Sequence, residues 1–234
     1  MEHLKTLRIA VLQAGRAVEE AIERHGDYDD MCKALVFRAP EEADTFCVLD
    51  GEFPDSIDAY DVFVVTGSKF SVYDELPWIA PLEALIRDIV DSDKKLIGVC
   101  FGHQIIATAL GGEVIKSPRG FGVGLMEYQL VADGGGETPI SLYAWHQDQV
   151  VEAPEGAEII ARSDFCEIAG MRIGPRVITF QAHPEFTEAY MRVLAEARRG
   201  VVISEEQADA SIASLAKAAD KPTIQKMLEK FMSS

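Results

Sequence analysis

The sequence predicts an α/β protein with a mostly parallel central sheet flanked by helices and a smaller antiparallel section. Up to Gly112, short apolar runs alternate with segments of helical spacing, a pattern typical of parallel strands joined by helical crossovers. After Gly112, short strand-like segments follow one another with turn residues between them, which favours antiparallel pairing. We see no linker, internal repeat or low-complexity segment. A single domain over residues 1–234 is therefore expected, with residues 200–234 forming a C-terminal helical extension.

The parallel section is predicted from four apolar segments and the helices between them. Strands are expected in residues 7–13, 46–49, 58–66 and 95–99. The last of these is continuously apolar, as expected for a strand covered on both faces. Helices are expected at residues 17–25 and 102–110, and a further helix is expected after a possible cap at Asp74. Gly111 and Gly112 end the helix at 102–110.

The second half of the chain predicts short strands followed by helices. The strand candidates are residues 113–116, 124–131, 141–145, 150–152, 158–161, 165–171 and 177–182. Residues 186–232 have helical composition, with a break at "DKP", residues 220–222.

Charge and cysteine usage exclude several classes of partner. The 234 residues carry 22 basic and 39 acidic side chains, a formal net charge of −17, which argues against binding to nucleic acid or an anionic membrane surface. No apolar stretch approaches the ~20 residues that span a bilayer, and no signal peptide is visible, so a cytoplasmic location is expected. The four cysteines show neither CxxC pairs nor metal-site spacing. Thiols and no metal site are expected.

One cysteine stands where a predicted strand meets a predicted helix. "GVCFGHQ", residues 98–104, has the spacing of a nucleophile elbow around Cys100. In such a turn the thiol lies at the carboxyl end of a parallel strand and at a helix N-terminus, whose dipole favours a thiolate. The backbone N–H of Phe101 is then available to an oxyanion. The alternative is a buried cysteine in an ordinary strand–turn–helix.

A thiolate nucleophile needs a base, and His183 is the best of the five histidines. It follows a predicted strand in "QAHPE", and Pro184 favours extended backbone there. Residues i and i+2 of an extended segment project to one side, so Glu185 can orient the imidazole. The alternative is a simple His-Pro-Glu turn. His3, His25 and His103 have less suitable positions, at the N-terminus, at a helix end and beside the elbow; His146 also follows a predicted strand.

Taken together, the two motifs resemble the class I glutamine amidotransferase family, whose triad is Cys, His and Glu. The resemblance runs from residue 7 to about residue 194. "SVYDELPWI" and "WHQDQV" make the chain most similar to stand-alone GMP synthase-like amidotransferases and γ-glutamyl peptidases. It implies a flavodoxin-like fold, the triad Cys100, His183 and Glu185, and cleavage of a γ-glutamyl amide through a thioester.

The resemblance also implies an oxyanion hole and a substrate clamp. "TGSKF" matches the family's Gly-Gly-Pro loop at Gly67, with departures at Ser68 and Lys69, and the Ser68 N–H can still donate beside that of Phe101. The family's substrate-binding positions map onto Gln104, His146, Gln147 and Asp148; Asp148 suits an ammonium group by charge, although a loop aspartate in water is an equal alternative. No metal or organic cofactor is expected, and the chain has no ATP phosphate loop.

Three functions stay open on the sequence alone. The chain is a glutaminase that supplies ammonia to a separate synthase, a stand-alone γ-glutamyl hydrolase, or a non-catalytic relative that binds a ligand or partner. A complete triad argues against the third. The C-terminal tail either covers the sheet or packs against a second copy, so homo-oligomerisation is a further alternative. The sequence does not name the amine that leaves.

Overall fold

The computed structural model describes residues 7–36, 43–132 and 134–234. The strands within these residues are β1 Ile9–Leu12, β2 Ala43–Phe46, β3 Val62–Val65, β4 Lys95–Val99, β5 Glu113–Lys116, β6 Gly122–Val131, β7 Glu137–His146, β8 Asp148–Glu152, β9 Ala157–Arg162, β10 Gly170–Ile173 and β11 Val177–Phe180. The helices are α1 Glu19–His25, α2 Tyr28–Val36, α3 Ile79–Asp91, α4 Phe101–Ala109, α5 Glu188–Arg198, α6 Glu205–Ser214 and α7 Lys221–Ser233.

Nine strands form one sheet in the order β2-β1-β3-β4-β11-β10-β9-β6-β7. The first five of these are parallel to one another, and the pairings from β11 through β7 are antiparallel. β5 and β8 form a separate antiparallel ribbon. The predicted α/β fold, with a parallel section and a smaller antiparallel section, is confirmed.

Apolar strands in the middle of the sheet are covered on both faces. β1, β3 and β11 are buried along their whole length, and β4 is buried from its second residue onward. α3 and α4 pack against one face, and α2 and α7 pack against the other. Because β1, β3, β4 and β11 are parallel, their carboxyl ends meet at one edge. That edge carries the segments after Leu12, Val65, Val99 and Phe180.

Several predicted boundaries are wrong, each for a local reason. The second strand ends at Phe46, and Val48–Asp50 forms a turn of 3₁₀ helix instead. α3 begins at Ile79, because the carboxylate of Asp74 accepts a hydrogen bond from the N–H of Ser71 in a preceding turn and does not cap the helix.

Helix α2 and the strand near residue 170 also differ from the prediction. The sequence does not predict α2, although Met31, Cys32 and Leu35 give it a buried face. Residues 165–169 lie outside β10, since Ser163 and Cys166 close a turn through two backbone groups and the Ser163 hydroxyl.

The C-terminal segment contributes to the core. α6 begins with a capping box between Ser204 and Gln207. α7 buries a stripe of side chains in the same cluster as β1 and β11; the stripe consists of Ile224, Leu228 and Phe231. In the described part of the chain, no helix has the length and apolar character needed to cross a membrane.

Candidate active site

Cys100 occupies a strained turn between β4 and α4. Its φ is 53° and its ψ is −103°, and among the described residues it is the sole non-glycine residue with a positive φ. Such a conformation costs of order 1–3 kcal/mol and persists where its surroundings enforce it. A Cβ added to Gly102 would lie 2.2 Å from the carbonyl oxygen of Val65, and one added to Gly98 would lie 2.7 Å from the backbone of Gly102. Both glycines are thus required by close backbone approach.

The Cys100 side chain is buried, and the residue is 5% exposed. The Cys100 N–H donates to the carbonyl oxygen of Phe180 over 2.8 Å, which continues the pairing of β4 with β11. The Sγ atom lies 3.7 Å from Nε2 of Gln181 and 3.9 Å from the carbonyl oxygen of Trp145. The thiol is therefore surrounded by the ends of β11 and β7.

The His183 imidazole is held from three directions. Its Nδ1 lies 2.6 Å from Oε1 of Glu185, and its ring stacks on Phe186 with centroids 4.0 Å apart and planes 8° apart. The His183 N–H donates to the carbonyl oxygen of Tyr143 over 2.8 Å. Both His183 and Glu185 are 3% exposed. This packing fixes the ring orientation and leaves Nε2 directed away from Glu185.

The second ring nitrogen, Nε2, lies on the side of His183 that faces Cys100. Nε2 is buried and has no hydrogen-bond partner among the described residues. A Cβ added to Gly67 would lie 3.1 Å from Cε1 of His183 and 3.8 Å from Cβ of Cys100, so these three residues converge. Burial acts to lower the pKa of His183, but its interactions with the side chains of Cys100 and Glu185 outweigh burial and raise this pKa to about 10.

Phe101 and Ser68 directly follow Cys100 and Gly67, two of the three residues that converge here. Phe101 is the first residue of α4, so its N–H has no acceptor within the helix. Ser68 follows the buried Gly67 in the segment after β3 and is partly exposed. A Cβ added to Gly15 would lie 2.7 Å from Cα of Ser68, which shows how tightly the segment after β1 supports this loop. Sequence reasoning missed Gly15, although a glycine just after a buried strand was the available signal.

The Gln104 amide is engaged within the protein. Its Nε2 donates to the carbonyl oxygen of Asp148 over 2.8 Å and to Oε1 of Gln181 over 3.1 Å. Gln181 is fully buried, and its own Nε2 is the group near the Cys100 sulfur. Gln104 and Gln181 therefore link α4, β8 and the end of β11, and sequence reasoning missed Gln181.

The carboxylate of Asp148 faces the loop that follows β3. Oδ2 accepts a hydrogen bond of 2.5 Å from the Ser71 hydroxyl, and Oδ1 accepts one of 3.0 Å from the Tyr73 hydroxyl. Tyr73 is 51% exposed, so this cluster lies at the rim of the site. Gln147 donates to the carbonyl oxygen of Ser117 over 3.4 Å. Nothing in the spacing of the sequence indicated the two hydroxyl donors.

The remaining histidines have structural surroundings. His146 is buried, its Nδ1 lies 3.2 Å from the carbonyl oxygen of Asp148, and burial lowers its pKa to about 3. His103 bridges Thr179 at 2.8 Å and the carbonyl oxygen of Ile168 at 3.0 Å, and burial lowers its pKa to about 4. His25 packs edge-on against a tyrosine ring, and His3 lies outside the described residues.

The other three cysteines are buried free thiols. Burial raises the pKa of Cys32 well above its ordinary value, that of Cys47 to about 11 and that of Cys166 to about 12. Across residues 7–36, 43–132 and 134–234, no three His, Cys, Asp or Glu side chains come together in a way that could hold a metal ion.

The fold and the motifs around Cys100 and His183 agree with the family that the chain matches in sequence. The family described as "Glutamine amidotransferase class-I" matches residues 11–194, and the chain belongs to it. A γ-glutamyl peptidase of Arabidopsis thaliana, number 4 of its series, is 33% identical over 92% of this chain and 90% of that protein.

Two further comparisons are less similar in sequence or extent. A glutamine-hydrolysing GMP synthase of Aeropyrum pernix is 35% identical over 42% of this chain and 20% of that protein. A crystal structure of a glutamine amidotransferase from Thermotoga maritima superposes with a TM-score of 0.75 at 23% identity, covering 98% of this chain and all of that one.

Proposed function

We propose that the chain hydrolyses the γ-glutamyl amide of glutamine or of a γ-glutamyl conjugate with the triad Cys100, His183 and Glu185. The observation that carries the proposal is the position of the His183 imidazole. One ring nitrogen bonds Glu185 at 2.6 Å; the other is buried and makes no such hydrogen bond, and the ring interacts with the side chain of Cys100. A nucleophile, a base and an orienting carboxylate in this order are what thiol acyl transfer requires.

The first half-reaction transfers the γ-glutamyl group to the enzyme. His183 takes the proton of Cys100, and the thiolate attacks the carbon of the γ-carboxamide. The N–H groups of Phe101 and Ser68, beside Gly67, receive the oxyanion, an interaction worth ~2.7–4 kcal/mol for each donor. The C–N bond breaks as His183 returns the proton to the amine, which leaves a γ-glutamyl thioester.

The second half-reaction regenerates the thiol. Water enters the position that the amine has left, and His183 removes one of its protons as it attacks the thioester carbon. The same two N–H groups receive the second oxyanion. The C–S bond then breaks, the proton on His183 returns to Cys100, and glutamate leaves. Each proton that His183 takes up is passed on, first to the leaving amine and then to Cys100, so the reaction consumes only the substrate and water.

Asp148 is proposed as the group that binds the substrate's α-ammonium. Its carboxylate already accepts hydrogen bonds from Ser71 and Tyr73, and these hydroxyl oxygens keep lone pairs for an ammonium donor. A charged acceptor with two neutral ones suits a primary ammonium group. Gln104 and His146 hold the backbone of Asp148 in place, while Gln147 ties the adjoining residue to the segment after β5.

Hydrolysis without a synthase is favoured over ammonia supply to a partner. The similarity to the γ-glutamyl peptidase extends over 92% of the chain, whereas that to the GMP synthase extends over 42%. A protein that only binds a ligand or partner needs neither the strained Cys100 turn nor the buried His183–Glu185 pair. Both features therefore argue against the non-catalytic alternative.

The test is a substrate panel with the purified chain and no other protein. Glutamine, γ-glutamyl dipeptides and glutathione are supplied, and the release of glutamate and amine is measured. Activity on at least one compound is expected; Cys100→Ala should abolish it, and Cys166→Ala is the matched control. If no compound of the panel is cleaved until a synthase is added, the ammonia-supply function is favoured. Normal turnover by Cys100→Ala would refute the mechanism.

A further inference from the structure

The first turn of α7 reaches the back of the proposed triad. α7 lies beyond residues 11–194, the part of the chain that matches the family. Nζ of Lys221 donates a hydrogen bond of 3.1 Å to the backbone carbonyl oxygen of Glu185. The lysine side chain is partly buried, so its ammonium has exchanged some of its water for this contact.

The start of α7 is fixed to the strand that also holds His183. The Asp220 N–H donates to the carbonyl oxygen of Ser141 over 2.7 Å, and the Ser141 N–H donates to Oδ2 of Asp220 over 2.8 Å. Two residues further along β7, the carbonyl oxygen of Tyr143 accepts the N–H of His183. Lys221 is therefore held in register with the catalytic histidine and does not sample the surface freely.

The two oxygens of the Glu185 carboxylate have different surroundings. Oε1 faces the imidazole, but Oε2 is buried without a hydrogen-bond partner among the described residues. The titratable groups that interact with Glu185 are His183, Lys221, Cys32, Tyr28 and Tyr190. Burial raises the pKa of the cysteine and of both tyrosines, so these three are neutral at pH 7.

Lys221 is then the cation beside Glu185 that takes no part in proton transfer. Burial lowers the pKa of Lys221, and the charge of Glu185 acts in the opposite direction. Lys221 and the Glu185 side chain therefore lie close enough to interact, while the direct hydrogen bond of Lys221 is to the Glu185 backbone oxygen.

We propose that Lys221 is a positioning residue, whose hydrogen bond to the Glu185 backbone holds the Glu185 carboxylate against the His183 imidazole. The consequence for turnover rests on the proposed γ-glutamyl hydrolase function. The consequence for the thiol does not, because Glu185, when held 2.6 Å from the imidazole, supports His183 as the group that takes the Cys100 proton. The C-terminal helix thereby becomes part of the apparatus that activates the nucleophile.

The experiment measures two pH profiles in Lys221→Met and Lys221→Arg. Lys226→Met, a lysine further along the same helix, is the matched control. The first profile is kcat/KM, and the second is the rate at which iodoacetamide alkylates Cys100, which needs no substrate. In Lys221→Met we expect the acid limb of both profiles to move up by about half to one pH unit, because a displaced Glu185 supports the imidazolium less. On that limb kcat/KM should fall about three- to tenfold. Lys221→Arg and Lys226→Met should follow the parent chain.

Each outcome decides the proposal. Superimposable profiles for Lys221→Met and the parent chain overturn it. If Lys221→Met does not fold by circular dichroism, Lys221→Leu, which also lacks a donor, is measured in its place. Loss of folding in both makes Lys221 purely structural and also overturns the proposal. If the parent chain cleaves no γ-glutamyl compound, the proposed function fails, but the alkylation profile still decides the role of Lys221.

Discussion

At the scale of single residues, the site depends on one thiol behaving differently from three others. Cys100 lies at the N-terminus of α4 and interacts with His183, a base that can take its proton. Cys32, Cys47 and Cys166 are also buried, but burial raises the pKa of each of them. The chemistry therefore follows from local charge and backbone position, since burial is common to all four.

Selective alkylation of Cys100 is the expected consequence. At pH 7, iodoacetamide should modify Cys100 at least about tenfold faster than any other cysteine, because the thiolate is the reactive form. Peptide mass spectrometry at timed intervals gives the four rates. The denatured chain, in which all four thiols are accessible, is the control. Faster modification of Cys32, Cys47 or Cys166 in the folded protein would contradict the assignment of the nucleophile.

Glu185 and His183 should differ in how much activity their removal costs. In Glu185→Gln the amide oxygen still accepts from Nδ1, but it no longer stabilises the imidazolium, so kcat/KM should fall by about 10³–10⁴. His183→Ala removes the base itself and should cost about 10⁵ or more. Steady-state kinetics on the best substrate of the panel measure both. Equal losses would give Glu185 a role beyond orientation, and no loss in Glu185→Gln would remove it from the triad.

At the scale of secondary-structure elements, His103 joins α4 to β11 and to the segment before β10. Its two ring nitrogens contact Thr179 and the carbonyl oxygen of Ile168, and burial holds its pKa at about 4. An unfolded histidine has a pKa of about 6.5. Between about pH 6.5 and 4 the unfolded chain therefore binds a proton that the folded chain does not, so stability falls as the pH falls.

The free energy of unfolding should report this directly. From pH 7 to pH 5, His103 is expected to account for a loss of about 2 kcal/mol. In His103→Asn that contribution disappears, and the decrease over the same interval should be shallower by a similar amount. Urea unfolding at the two pH values measures it, with His25→Asn as the control. Equal decreases in His103→Asn and the parent chain would show that His103 does not couple folding to pH.

Most elements are predictable because the apolar strands of a parallel sheet are short, continuous and separated by helical spacing. β1, β3, β4 and β11 follow that rule. α2 escapes prediction because polar residues 27–30 conceal its start, even though the backbone carbonyl oxygen of Asp27 accepts the N–H of Met31, as that of an N-cap residue does. Residues 165–169 have strand-like composition, but Phe165 is used for a tertiary contact with the His146 ring.

The candidate site also contains features that the sequence predicts and features that it does not. The Cys100 turn and the His183–Glu185 pair follow from short local spacing, so the sequence predicts them. The hydrogen bonds from Ser71 and Tyr73 to Asp148 join residues 77 and 75 positions apart, and that from Lys221 to Glu185 spans 36. Such contacts are set by how strands are ordered in the sheet. No local pattern encodes them, and the sequence alone does not predict them.

At the scale of the whole molecule, the net charge of −17 sets a long-range repulsion that packing must overcome. The chain also has exposed ion pairs, among them those of Arg199 with Glu196, Glu205 and Asp209. Salt screens both effects, because the Debye length is about 10 Å at 0.1 M ionic strength. Exposed pairs contribute little to stability, whereas the repulsion involves every uncompensated carboxylate. Net stabilisation by salt is therefore expected.

The melting temperature should accordingly rise by about 3 °C between 20 and 200 mM sodium chloride, if screening relieves about 1 kcal/mol of repulsion in a chain of this size. The matched variant carries Glu23→Gln and Glu155→Gln, two exposed positions, which changes the net charge from −17 to −15. It should melt higher than the parent chain at 20 mM and gain less from added salt. Differential scanning calorimetry at a fixed protein concentration measures both. A melting temperature that falls with salt would mean that the local ion pairs outweigh the long-range repulsion.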